Sequence, residues 1–159
     1  MRLVLYQPDI APNAGALMRM AACLDLPVDL IEPCGFALAD GGVRRAGMDY
    51  LNRLDLTRHA SWSAYLDARR GCEPTADRLV LLTTRGETAH TDFRFLPGDD
   101  LMVGRESAGV PDTVHAAVDA RLRVPMLAEA RSLNVATALA IVAGEALRQT
   151  GGFERLVPS

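Results

Sequence analysis

The sequence predicts an α/β domain: a parallel sheet with helices over both faces. Two observations carry this prediction. Short runs that are mostly apolar, LVLY at 3–6, VDLI at 28–31, LVLLTT at 79–84 and LMVG at 101–104, lack the regular in-out alternation of a half-exposed strand, so they read as strands buried on both sides. Between them lie segments with apolar residues at helical spacing, and strands that alternate with helices are joined by crossovers that leave them parallel. The length, 159 residues, fits one domain over 1–159, which would bury roughly two thirds of its unfolded surface.

The elements follow in order. LVLY opens the sheet, and Asn13 then provides a cap for a helix over about 14–24. VDLI is the second strand and LDLT, at 54–57, a weaker third. SWSAYLDARRG, at 61–71, has a capping Ser61, an apolar face from Trp62, Tyr65 and Leu66, and a terminal glycine. LVLLTT, LMVG and RLRV at 121–124 complete the strands, with a short helix expected from Asp112 over 113–118. The last and longest helix covers about 133–149. It has almost no polar face before Glu145 and Arg148, so it should be buried on several sides, either in a monomer's core or against a second copy of the chain.

In open parallel sheets ligands bind beyond the carboxyl ends of the strands. The loops after Tyr6, Thr84, Val103 and Val124 are therefore the places to look. VGRESAGVP, at 103–111, sets glycines around Glu106 and Ser107 but lacks the Lys and Ser/Thr of a phosphate loop, and no GxGxxG opens a helix. ATP and NAD binding lose support. In RVPMLAEARSLNVA, at 123–136, Glu129, Arg131, Ser132 and Asn134 crowd a strand-to-helix junction where a plain core would want a short turn. Arg19 is either a snorkelling surface residue or a functional cation, and Arg44 and Arg45 are either solvated or phosphate ligands.

All 17 basic residues are Arg, none is Lys, and the net charge is -3. The acidic total argues against a broad basic nucleic-acid surface. The arginine usage has two readings, a G+C-rich coding bias or guanidinium groups kept for phosphate and base contacts. Cys23, Cys34 and Cys72 form no CxxC, and His59, His90 and His115 are isolated, which predicts no disulfide framework and no metal site. The histidines are expected at the surface or as caps. No apolar stretch is long enough to span a membrane, and MRLVLYQPD reaches Pro and Asp too early for a secretory signal. A cytoplasmic protein is expected.

PxxxPNxGxxxR at 8–19, IEPxGF at 31–36, RRAGMDY at 44–50, LTT at 82–84, GxExxGxP at 104–111, and RVPM with RSLNVA at 123–136 together resemble the SPOUT superfamily. The likeness is to its short bacterial tRNA wobble-nucleotide (cytidine/uridine) 2'-O-methyltransferases, and it runs from Leu3 to about Gly151. It implies a Rossmann-like parallel sheet with a C-terminal trefoil knot, a homodimer, and S-adenosyl-L-methionine as methyl donor. It further implies cofactor contacts at Leu82, Gly104, Glu106, Val124 and Ser132, and catalytic roles for Arg19, Ser132 and Asn134. The implied partner is a tRNA anticodon stem-loop, its phosphates held by Arg44 and Arg45. The polar cluster at 129–134 would then wall the cofactor pocket. Other functions for such a chain are 2'-O-methylation of another tRNA or rRNA nucleotide, or RNA binding by a silent dimer.

Overall fold

The computed structural model describes residues 1–37, 53–71 and 78–156. In these, seven strands form one sheet: β1 (Arg2–Tyr6), β2 (Val28–Ile31), β3 (Leu56–His59), β4 (Leu79–Leu82), β5 (Thr88–Ala89), β6 (Asp100–Val103) and β7 (Ala120–Arg123). Their order is β3-β2-β1-β6-β4-β7-β5, and every pairing is parallel. The helices are α1 (Ala11–Cys23), α2 (Trp62–Gly71), α3 (Asp112–Ala117) and α4 (Val135–Thr150).

The sheet divides the core in two. On one face Leu3, Leu5, Val80, Leu101 and Leu122 pack against Leu17, Met18 and Ala21 of α1 and Leu139, Val142 and Ala146 of α4. On the other, Val4, Tyr6, Leu81 and Met102 meet Tyr65 of α2 and Val114 of α3. Alternate residues of one strand thus face opposite layers, which is why LVLY and LVLL are apolar throughout.

Two of the most buried ion pairs lie at the amino ends of β4 and β6. Arg78 grips the fully buried Asp99 with two bonds of 2.8 and 2.7 Å, and Arg69 pairs with Asp100. Fork-to-carboxylate geometry makes such buried charges tolerable. The carboxyl ends stay open.

Several boundaries depart from expectation. Helix α1 starts at Ala11, not after Asn13, with Ile10 as its N-cap and proline in the first two positions. Proline's fixed φ suits the first turn, and the Asn13 side chain is committed elsewhere. Strand β3 lies two residues later than 54–57 because its register with β2, Val28 against Leu56 and Ile31 against His59, outweighs its weak pattern. Strand β5 is too short to show a period. Two histidine expectations are corrected: His59 and His90 are buried, His59 because its ring reaches the Asp29 carboxylate at 2.9 Å. Ser61 caps α2 as expected, its hydroxyl accepting from the Ala64 N–H at 3.1 Å.

Helix α4 buries Leu139, Val142, Ala143, Ala146 and Leu147, but Thr137, Ala140 and Ile141 lie exposed on its other side. A helix with little polar character therefore keeps an uncovered apolar strip. Among the described residues no helix is long and apolar enough to cross a membrane. Nor does any group of three or more His, Cys, Asp or Glu residues there suit a metal ion.

Candidate active site

The loops following β1, β4, β6 and β7 converge on a cavity of about 460 Å³, within the usual range for small-molecule pockets. These are the strand tips where the sequence directs attention. The walls are mostly apolar, with Leu82, Val103, Val110, Leu122 and Val124 among them, and the polar groups come from Asn13, Thr83, Thr84, Arg105, Glu106, Ser132 and Asn134. An apolar slot with few polar groups suits a ligand with a flat ring system and a polar tail.

Each wall has a local cause. Arg105 and Gly109 close the β6 loop on itself, the Arg105 N–H donating to the Gly109 carbonyl at 3.0 Å and the Gly109 N–H returning at 2.9 Å. Gly109 has φ +64°, a left-handed conformation nearly free only for glycine. Gly104 meets this closure from behind: a Cβ there would lie 2.6 Å from the Gly109 carbonyl carbon. The loop from Pro125 to Asn134 is exposed throughout in the single chain, and Asn134 ends it by capping α4, its Oδ1 accepting from the Ala136 and Thr137 N–H groups at 2.9 and 3.3 Å.

A hydrogen-bonded chain crosses the floor. Asn134 Nδ2 donates to Asn13 Oδ1 at 2.9 Å, and Asn13 Nδ2 donates to Glu106 Oε1 at 3.1 Å. Glu106 Oε2 accepts from the Asp9 N–H at 3.1 Å. Burial first, and the neighbouring Asp9 carboxylate second, push the Glu106 carboxyl above its ordinary range. Asp9 is held down to about 2 by Glu106 and by the Ser107 hydroxyl, against the opposing effect of burial.

Of the expected site residues, Leu82, Glu106, Val124, Ser132 and Asn134 line one cavity. Gly104 supports its wall without lining it. Glu129 and Arg131 are exposed and off the cavity, so of the crowded polar group only Ser132 and Asn134 face in. Arg19 is exposed on α1 and does not line its own chain's cavity. Arg44 and Arg45 lie outside the described residues, as does Cys72. Asn13 was legible only as a cap; its place inside PNxG between two polar loops was the signal that it reaches further.

The model of the SpoU rRNA Methylase family matches residues 1–144. A tRNA (cytidine(34)-2'-O)-methyltransferase of Ancylobacter novellus is 56% identical over 153 residues, covering 96% of this chain and 95% of that protein. One of the same name from Escherichia coli K12 is 39% identical over 153 residues, covering 95% and 94%. A solved structure described as giving insights into the 2-OH methylation of C/U34 on tRNA superposes with a TM-score of 0.86 at 43% identity, covering 93% of this chain and 94% of its own. The SpoU methyltransferase AviRb of Streptomyces viridochromogenes, in complex with AdoMet, gives 0.84 at 27% identity, over 94% of this chain and 57% of that one.

Proposed function

Because the chain belongs to the SpoU methylase family, we propose that it transfers a methyl group to the ribose 2'-hydroxyl of nucleotide 34, a cytidine or modified uridine, in tRNA. S-adenosyl-L-methionine, when bound, supplies that methyl on a sulfonium centre. The observation that carries the reading is the convergence of Leu82, Glu106, Val124, Ser132 and Asn134, from loops far apart in sequence, on one cavity of suitable size and apolar-polar balance.

Leu82, Glu106, Val124 and Ser132 would hold the cofactor, with Gly104 keeping its wall closed. The chain's own work is to align the acceptor oxygen and to handle its proton. Ser132 and Asn134 line the cavity, which supports giving them the hydrogen bonds to the hydroxyl. A guanidinium group is a standing cation and five-fold donor, so the tasks that suit Arg19 are to stabilise the developing alkoxide and to hold an adjacent phosphate. Since Arg19 does not line its own cavity, we assign it to the pocket of a second copy in a homodimer. Exposed apolar residues, Ile10 and Leu133 in the cavity wall and Ile141 further along α4, favour such pairing. The reading further includes a C-terminal trefoil knot, the whole chain as one methyltransferase domain in the cytoplasm, and an anticodon stem-loop whose phosphates meet Arg44 and Arg45.

Incubation with labelled S-adenosylmethionine and total tRNA, followed by mapping of 2'-O-methylated nucleotides, tests the proposal. Label at nucleotide 34 is expected. Cofactor binding without any tRNA label would move the substrate to another RNA, and no cofactor binding would reject the reading. Arg19→Ala should abolish transfer while leaving cofactor affinity near that of the wild type; a collapse of affinity would show that this side chain contacts the cofactor instead.

A further inference from the structure

Asp9 stands immediately before Ile10, a residue of the cavity wall, but does not line the cavity itself. Its carboxylate accepts from the backbone N–H of Glu106 at 3.0 Å, from the Ser107 N–H at 3.4 Å and from the Ser107 hydroxyl. Its own N–H returns a bond to Glu106 Oε2 at 3.1 Å. The loops after β1 and β6, 97 residues apart in sequence, are thus joined by reciprocal bonds. Glu106 Oε1 accepts from Asn13, so both oxygens of the cavity carboxylate take donors from the loop and first turn that follow β1. Glu106 keeps its direction only while that segment keeps its place.

We propose that Asp9 is a positioning residue: it fixes the orientation in which Glu106 faces the cofactor, and so sets cofactor affinity without touching the cofactor. This rests on the function proposed above through the role given to Glu106. A carboxylate is required because three donors converge on it. An asparagine offers one acceptor oxygen and turns an NH2 group toward one of those donors, leaving it unsatisfied. Losing charge-assisted bonds of this kind corresponds to about a ten- to hundredfold change in an equilibrium constant.

The test uses four full-length proteins, the wild type, Asp9→Asn, Glu106→Gln and the double variant. For each, the dissociation constant for S-adenosylmethionine is measured by calorimetry and the thermal midpoint by scanning. Asp9→Asn is expected to weaken binding about tenfold or more while lowering the midpoint at neutral pH by only a few degrees, and the double variant to bind no worse than Glu106→Gln alone. Ser107→Ala, which removes one donor at the loop surface, should give a smaller loss in the same direction. The proposal is overturned if Asp9→Asn binds within about twofold of wild type, or if the two losses multiply in the double variant. It is equally overturned if affinity merely tracks the midpoint across Asp9→Asn and Ser107→Ala. A wild type that fails to bind S-adenosylmethionine sinks the functional reading itself. A wild type that binds and transfers, beside an unaffected Asp9→Asn, sinks only the role of Asp9.

Discussion

Asn134 combines two tasks that substitution can separate. Its Oδ1 caps α4 and its Nδ2 holds Asn13. Asn134→Ala removes both and should cost about 1 kcal/mol of stability, with a roughly hundredfold loss of transfer. Asn134→Asp keeps the cap acceptor and is expected to melt near wild type, yet to transfer poorly, because the donor to Asn13 is gone. Full activity in Asn134→Asp would reduce this residue to a cap. Asp9 adds a pH dependence. Its carboxyl is held down from the ordinary 3.8 to about 2, so its contribution to stability is present above pH 3.8 and lost as pH falls toward 2. Urea titrations should therefore show the stability gap between wild type and Asp9→Asn narrowing across that window; a constant gap would mean that the ionised form is not what the fold stabilises. Asn13, Glu106 and Asn134 each stood in the sequence beside other plausible roles. Only their mutual distances make them one chain of bonds.

The loop after β6 is an element whose shape two glycines set in different ways. Gly109 needs a positive φ but has open space where a Cβ would stand, whereas Gly104 has no room for a Cβ at all. Gly109→Ala should thus cost about 1–2 kcal/mol through its backbone alone, leaving the cavity wall in place. Gly104→Ala must push Gly109 outward, adding an overpacking cost of roughly 1–3 kcal/mol and breaking the closure that shapes the pocket. Calorimetry should find cofactor binding far weaker in Gly104→Ala than in Gly109→Ala. Equal losses would refute the distinction. The central strands are legible from LVLY and LVLL because burial on both faces leaves a continuous apolar run. The start of α1 was not, since Asn13 is as good a cap by type as it is a bridge by position.

For the whole molecule, the assignment of Arg19 to a second copy predicts complementation. In a mixed dimer of Arg19→Ala and Asn134→Ala chains, one pocket would combine an intact Asn134 with an intact Arg19 from the other chain. The mixed dimer should transfer at about half the wild-type rate, and an equal mixture exchanged at random, in which about half the dimers are mixed, at about a quarter, if the two sites act independently. No recovery from mixed dimers would place Arg19 on its own pocket or outside the reaction. Ile141→Arg, on the exposed strip of α4, should lower the solution mass to that of one chain, because an unpaired charge cannot be buried in a packed interface at small cost. Taken alone, the sequence determined the parallel α/β architecture, the strand tips to search and, through the spaced motifs, the family, since each depends on residue type and local period. The tertiary structure alone decided which polar residues face inward, that Glu129 and Arg131 do not, that Asp9 and Asn13 join Glu106, and that Arg19 stays off its own cavity. Those are distances between groups far apart along the chain, and no local pattern encodes a distance that the packing of a sheet and its loops creates.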